Sequence, residues 1–263
     1  MAKIAIVPGS FKPPHRGHLA MVEQYSQNND KVIILISNPL KNQRALEDGT
    51  VITAQNAIDM WDELTSGLSN VEIQVSPSAS PVGASYNYIG PEGDLQEGDI
   101  ITLGASNKGT DIQRWKNADR YVKEGVTLLD PQTTAVQPEV HSPEYIQSVM
   151  SSDFKESMPS IITNKDFSLF HASDMRYLLG KASTSPEAAE LLQDFVLSDA
   201  MAKKFLDILG ITPASSEPIE EISAMGAGAV AGYSKPFVGK RDEDCNCMSE
   251  QIYNIFLKRG ILK

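Results

Sequence analysis

The stretch Ile4-Ala5-Ile6-Val7-Pro8-Gly9-Ser10-Phe11-Lys12-Pro13-Pro14-His15-Arg16-Gly17-His18 decides the fold. Residues 4–7 form a short continuous apolar run, the pattern of a buried strand, and Pro-Gly-Ser and Pro-Pro break it off into a loop. From Gly17 onward, Leu19, Met21, Val22 and Tyr25 fall at the spacing of a helix with one apolar face. Two histidines therefore sit where a strand gives way to a helix. In an open α/β sheet ligands bind at that end of the strands, and a helix N-terminus favours anions.

Working outward, strands and helices alternate over the first two-thirds of the chain. Residues 31–37 are another unbroken apolar run, as expected of a strand covered on both faces. A helix is predicted over 50–68, with Thr50 as N-cap and Ala54, Ala57, Ile58, Trp61, Leu64 and Leu68 on one face. Trp61 in that stripe reads as core. Residues 71–75 alternate like a strand nearer an edge, and 76–98, rich in Ser, Pro, Gly and Asp, read as a long excursion. Residues 99–104 and 126–129 supply two further strands. This alternation implies an α/β fold, a parallel sheet with right-handed crossovers and helices on both faces.

Further on, residues 143–150 suit a short helix and 160–163 a last strand. Ser173 reads as the N-cap of a helix over 174–179 closed by Gly180. Residues 186–209 carry Leu191, Leu192, Phe195, Val196, Met201, Phe205 and Leu209 at helical spacing, with a break near Ser198 and Asp199. After Gly210 the composition changes to Pro, Ser, Ala, Gly and charge, including the small-residue run 224–232, followed by an amphipathic helix candidate over 249–262. The chain thus divides into a catalytic α/β domain over 1–182, a helical extension over 183–212, a flexible linker over 213–244, and a C-terminal helix or interaction tail over 245–263. Packing of that last helix back on the domain is the alternative.

The composition narrows the function classes. A net charge of −11 and a pI near 4.8 argue against general nucleic-acid binding, which needs a basic surface to displace counterions. A small anionic substrate is still admissible, because a few local cations and backbone N–H groups suffice. Cys245 and Cys247 are the only cysteines, and their spacing is not that of zinc or redox pairs, which favours a disulfide-free chain in a reducing compartment. No apolar run approaches membrane length, and Met1-Ala2-Lys3 leads straight into a strand, so the expectation is a cytoplasmic protein without membrane contact.

Taken alone, His15 and His18 are open to three readings: structural loop residues, metal ligands, or phosphate contacts. His141 and His171, the other histidines, lie in no metal-binding spacing with them, so zinc is weakly supported. The surrounding Gly9, Ser10 and Gly17 favour phosphate, since glycine lets backbone approach closely and Ser10 adds a hydroxyl donor.

Gly9-Ser10-Phe11, Pro13, His15, Gly17-His18 and Leu19 closely resemble the first motif of the nucleotidylyltransferase superfamily, whose members share a His-x-Gly-His core on a Rossmann-like sheet. The motif is most similar to that of nicotinamide-mononucleotide adenylyltransferases. Cytidylyltransferases more often show Gly-Thr-Phe-Asp in the same place, which this chain lacks. The family's late motif, Ser-x-Ser/Thr-x-aliphatic-Arg at a helix start, is matched by Ser173 and Arg176 in His171-Ala172-Ser173-Asp174-Met175-Arg176, with His171 in place of its first serine. The two motifs together make the match specific, and the resemblance covers about residues 2–182.

The resemblance implies in-line attack of an acceptor phosphate on the α-phosphorus of a nucleoside triphosphate, with pyrophosphate as the leaving group, a step that depends on positioning and charge stabilisation. By resemblance His18 contacts the α-phosphate and His15 its neighbour, with Lys12 in the same motif. Ser10 and the Gly9–Phe11 backbone line the site, and Ser173 and Arg176 hold the β- and γ-phosphates. Mg2+ accompanies the nucleotide, bridging phosphate oxygens. Lys41 or Arg44, in the loop after the second strand, is a basic phosphate contact or part of a solvated charged loop. Gly104, Ser106 and Asp111, with Arg114-Trp115, fall in the stretch 104–115 that resembles the Gly-x-Asp and Arg-Trp region holding base, ribose or acceptor, with Asp111 standing in for the usual acidic residue. Trp115 is either an acceptor-stacking surface or core.

Three alternatives are weighed. The donor is ATP, or CTP if the domain is a cytidylyltransferase. A class I aminoacyl-tRNA synthetase shares His-x-Gly-His but is rejected for a short, acidic chain without a Lys-Met-Ser-Lys-Ser-like loop. A non-catalytic nucleotide-binding domain, anchored to an assembly by its tail, is the remaining class. Homo-oligomerisation and a protein contact by the tail are compatible with all of them.

Overall fold

The computed structural model describes residues 1–106, 111–129, 132–134 and 172–214, all within one compact unit, Met1–Pro218. Its strands are β1 (Lys3–Gly9), β2 (Lys31–Ile36), β3 (Val71–Val75), β4 (Ile100–Ser106), β5 (Thr127–Leu128) and β6 (Gln132–Thr134). They pair in the order β3-β2-β1-β4-β5, with β6 also on β4, and every pairing is parallel. The helices are α1 (Arg16–Asn28), α2 (Ala54–Leu64), α3 (Pro81–Ile89), α4 (Ala172–Lys181), α5 (Pro186–Phe195) and α6 (Asp199–Leu209), with short 3-10 turns at Asp111–Trp115 and Ala118–Tyr121. The α/β reading of the sequence is correct.

The strand order explains the layering. From β1 the chain steps to β2 and β3 on one side, through α1 and α2, then returns through α3 to β4 on the other side. Right-handed crossovers running in opposite directions must place their helices on opposite faces. The core divides accordingly. Ala5, Val7, Val32, Ile34 and Ile36 face α1, α2 and α4–α6, whereas Ile4, Ile6, Ile33, Leu35, Ile101 and Leu103 face α3 and the turn at Trp115. Alternate residues of the central strands are buried on both faces, as their continuous apolar runs require. The helical segment 183–212 shares the first of these cores, with Leu191, Leu192, Phe195, Phe205 and Leu206 in it.

Several boundaries differ from expectation. The excursion at 76–98 contains the crossover helix α3, started by Ser80 as N-cap and Pro81 at the first position. It carries Gly83, Ser85 and Asn87 and buries mainly Ala84, Ser85 and Ile89, so no long apolar stripe marked it. Helix α2 starts at Thr53, not Thr50. Thr53 and Asn56 form a reciprocal capping box at 3.0 Å, while Val51 is used in an antiparallel bridge to Ala45. Ser173 lies inside the first turn of α4 rather than capping it, and Gly180 is still helical. The predicted helix at 143–150, the strand at 160–163, His171, both cysteines and the tail beyond Ala214 lie outside the described residues. Among the described residues no helix is long and apolar enough to cross a membrane.

The expected break near Ser198 is present and strained. Leu197, between α5 and Ser198, the N-cap of α6, has φ +80° and is 48% exposed. An L-residue there is disfavoured by about 1–2 kcal/mol, and glycine's greater unfolded-state freedom offsets part of any relief. Leu197→Gly is therefore expected to stabilise the protein by about 0.5–1 kcal/mol, read as a higher denaturation midpoint. A lower midpoint would show that the Leu197 side chain contributes more by packing than its backbone loses.

Candidate active site

The sheet's strand order reverses direction between β1 and β4, and the loop after β1 opens at that switch point. The loop is rigid for reasons visible residue by residue. Phe11 has φ +48°, is buried, and folds its ring back over Gly9, where a Cβ would lie 2.5 Å from the ring. His18 and Trp61 meet that ring edge-on, with centroids at 4.9 and 5.4 Å. Trp61 is thus core, as its stripe on α2 implied, and is also the floor beneath the loop. The Lys12–Pro13 peptide is cis.

The two histidines hold each other at the start of α1. His15 is the N-cap, and its Nδ1 accepts the Gly17 N–H at 3.1 Å; the His15 N–H donates to His18 Nδ1 at 3.3 Å. The rings stack with centroids 3.6 Å apart. A ring nitrogen that accepts an N–H bond carries no proton, so in each neutral imidazole the proton resides on Nε2. The capping geometry thereby makes both Nε2 atoms N–H donors at a helix N-terminus.

The late motif reaches this loop directly. Arg176, on α4, donates from Nη1 to the Lys12 carbonyl at 2.9 Å, across 164 residues of sequence. Lys12 itself is only 3% exposed, and burial holds its ammonium below the usual lysine value. Burial also lowers the Arg176 guanidinium, repulsion from Arg44 adds to this, and Asp174 opposes it. Arg44 is exposed in its loop. Ser173 is exposed, and its Oγ donates to Asp174 Oδ1 at 3.2 Å. Lys41 is exposed in its loop.

On the other side of the switch point, the carbonyl of Gly104 accepts from Arg114 Nη2 at 2.9 Å and from Trp115 Nε1 at 3.0 Å. Arg114 pairs through Nη1 with Asp111 at 3.0 Å and lies over the Trp115 ring, 5.0 Å from its centroid. Burial lowers the Arg114 guanidinium, with Asp111 opposing. Tyr25 Oη, from α1, accepts the Ala105 N–H at 3.2 Å. Trp115 is 2% exposed within the α3-side core. The acceptor-stacking reading of Trp115 is therefore corrected to packing, since its ring is enclosed and its N–H is committed to Gly104. Ser106 ends β4.

The structure thus joins Phe11, Lys12, His15, His18 and Arg176 on the β1 side, and Gly104, Asp111 and Trp115 on the β4 side. Lys41, Arg44 and Ser173 stand at the surface. The sequence placed Arg114 only within the Arg-Trp pair of that region and Tyr25 only on the apolar face of α1, so neither contact to β4 was anticipated. For Arg114 the signal was indirect: Pro8 in a strand that must pair on both edges leaves one acceptor in the neighbouring strand without its backbone donor.

Residues 6–82, from β1 to the start of α3, match the family model described as cytidylyltransferase-like. This bears out the resemblance carried by the first motif. A phosphopantetheine adenylyltransferase of Aquifex aeolicus is 28% identical over 75 residues, 28% of this chain and 43% of that protein. One of Natranaerobius thermophilus is 36% identical over 72 residues, 27% of this chain and 40% of its own length. The chain spans less than half the length of these curated relatives. Among solved structures, a bifunctional NMN adenylyltransferase/ADP ribose pyrophosphatase from Francisella tularensis aligns at 15% identity and a TM-score of 0.44, covering 80% of this chain and 52% of that one.

Proposed function

We propose that the chain transfers a nucleoside monophosphate from a nucleoside triphosphate, ATP by preference, to a phosphorylated small-molecule acceptor and releases pyrophosphate. The observation that carries this reading is the Arg176–Lys12 bond, which ties the late motif to the loop that ends in the His15–His18 capping pair. An acceptor phosphate oxygen attacks the α-phosphorus and forms the new P–O bond. The bond from the α-phosphorus to the α,β-bridging oxygen breaks, and pyrophosphate leaves with the electron pair. Nothing covalent is asked of the protein, whose part is positioning and charge stabilisation.

In this reading His18 Nε2–H donates to an α-phosphate oxygen, whose charge grows in the transition state, and His15 to its neighbour. Arg176, Arg44 and Lys12 hold the β- and γ-phosphates, with Ser173 and Lys41 able to add contacts from the surface. Ser10 and the Gly9–Phe11 backbone line the attack side, and Asp111 and the Gly104–Ser106 strand end face the nucleoside or the acceptor. Among the described residues no cluster of three or more His, Cys, Asp or Glu could hold a metal, so Mg2+ would accompany the nucleotide and would supply neutralisation of phosphate charge. ATP is favoured over CTP by Gly9-Ser10-Phe11 and by the adenylyltransferase names of the curated relatives.

The test is pyrophosphate release from ATP or CTP, with Mg2+, offered with nicotinamide mononucleotide, nicotinate mononucleotide and phosphopantetheine. Turnover with ATP and at least one acceptor is expected. Turnover with CTP alone would move the assignment to a cytidylyltransferase, and silence with every pair would end the nucleotidyl-transfer reading.

A further inference from the structure

The ladder between β1 and β4 stops one hydrogen bond short of the crevice, and the cause is a single residue. In a parallel pair, the N–H and C=O of one residue face the same neighbour, and successive residues alternate sides. The Ile100 N–H donates to Ala2 O, and the Ser37 N–H to Gly9 O, so even-numbered residues of β1 face β4 and odd-numbered ones face β2. The register pairs Ile4 with Ile101 and Ile6 with Leu103 and ends there. Continued by one step, it assigns the Gly104 carbonyl to the N–H of residue 8. Residue 8 is proline and has no N–H to give.

Arg114 occupies the vacant place in that pattern. Its Nη2 donates to the Gly104 carbonyl at 2.9 Å and lies 3.5 Å from the Pro8 carbonyl, so one guanidinium spans the two strand ends where the backbone bond is missing. Trp115 Nε1 takes the second lone pair of Gly104. Asp111 fixes the far side of the guanidinium, and the Arg114 carbonyl is itself held by Tyr86 Oη at 2.6 Å. A side chain inserted between strands holds them farther apart than a backbone hydrogen bond does. The site affected is the switch-point crevice, with Gly9 and Ser10 following Pro8 on one wall and Ala105 and Ser106 following Gly104 on the other.

We infer that Arg114 is a positioning residue: it replaces the hydrogen bond that Pro8 cannot make and thereby sets the spacing of β1 and β4 at which a nucleotide is held. The second half of this statement rests on the nucleotidyl-transfer reading; the first half does not. Sequence distance hides the relation, since Pro8 and Arg114 are far apart in the chain and neither residue alone suggests it.

The full-length chain tests it through a cycle of four proteins: wild type, Arg114→Ala, Pro8→Val and the double variant. Arg114→Ala is expected to lower Tm by about 3 °C and to raise the KM for the nucleotide about tenfold, with kcat changed less than threefold. Pro8→Val restores an N–H at residue 8. It should recover at least half of the lost Tm in the Arg114→Ala background and give no gain in wild type, where Gly104 already has two donors. If Arg114→Ala does not fold, Arg114→Lys, which keeps the charge but reaches one carbonyl at a time, takes its place in the same cycle. A Pro8→Val effect equal in both backgrounds overturns the replacement of the bond. A nucleotide KM within twofold of wild type overturns the positioning role. If wild type turns over no nucleotide at all, the functional reading fails, while the Tm cycle still decides the missing-bond claim.

Discussion

His18→Ala is expected to lower kcat/KM by about 100- to 1,000-fold while the protein stays folded. Removing one preorganised donor aimed at developing oxyanion charge costs about 2.7–4 kcal/mol of transition-state stabilisation. The same change deletes the acceptor of the His15 N–H at 3.3 Å, an N-terminal capping contact worth about 1 kcal/mol. The effect on rate should therefore greatly exceed the effect on stability. His18→Asn separates the two: its carboxamide oxygen can still accept the His15 N–H, but it is too short to reach as far as Nε2. It should lose about as much activity as alanine and less stability. Steady-state kinetics with thermal unfolding decides, and an alanine variant at full rate would remove His18 from the chemistry. A variant that loses activity only because it is unfolded would make the capping box its principal role.

Much of this arrangement was legible because two kinds of signal are local. Strands buried on both faces need continuous apolar runs, and residues 4–7, 31–36 and 100–103 show them. The first motif, at the β1-to-α1 transition, and Ser173 with Arg176, in the first turns of α4, are short local patterns. What stayed hidden depends on partners far along the chain. Helix α3 buries small side chains, so topology demanded it where periodicity did not. The true start of α2 depends on the Ala45–Val51 bridge, which is made by backbone and leaves no side-chain pattern. Both Thr50 and Thr53 are acceptable N-caps, and only Asn56, three residues after Thr53, distinguishes them. Trp115 could not be assigned from its neighbours because its role is set by the Gly104 carbonyl, itself exposed to a donor by a proline in another strand.

Gly9→Ala is expected to destabilise the protein by about 2–3 kcal/mol and to reduce kcat/KM at least tenfold. The added methyl would lie 2.5–2.8 Å from three atoms of the Phe11 ring, a separation that forces movement. Overpacking of this kind costs about 1–3 kcal/mol, and the ring has little room to yield, because Trp61 and His18 stand edge-on against it. Phe11 also holds a left-handed backbone, tolerated only while the surrounding packing over-determines it. Displacing the ring therefore releases the loop and moves His18, so activity should fall even in the population that remains folded. Gly67→Ala, where a Cβ meets nothing within 4 Å, is the control and should change stability by less than about 0.5 kcal/mol. Phe11→Leu in the Gly9→Ala background should recover part of the stability, since the smaller side chain makes room for the methyl. Urea denaturation of wild type, Gly9→Ala, Phe11→Leu and the double variant measures the coupling. Additive losses would mean that the ring is free to move aside, and that Gly9 is glycine for some reason other than Phe11.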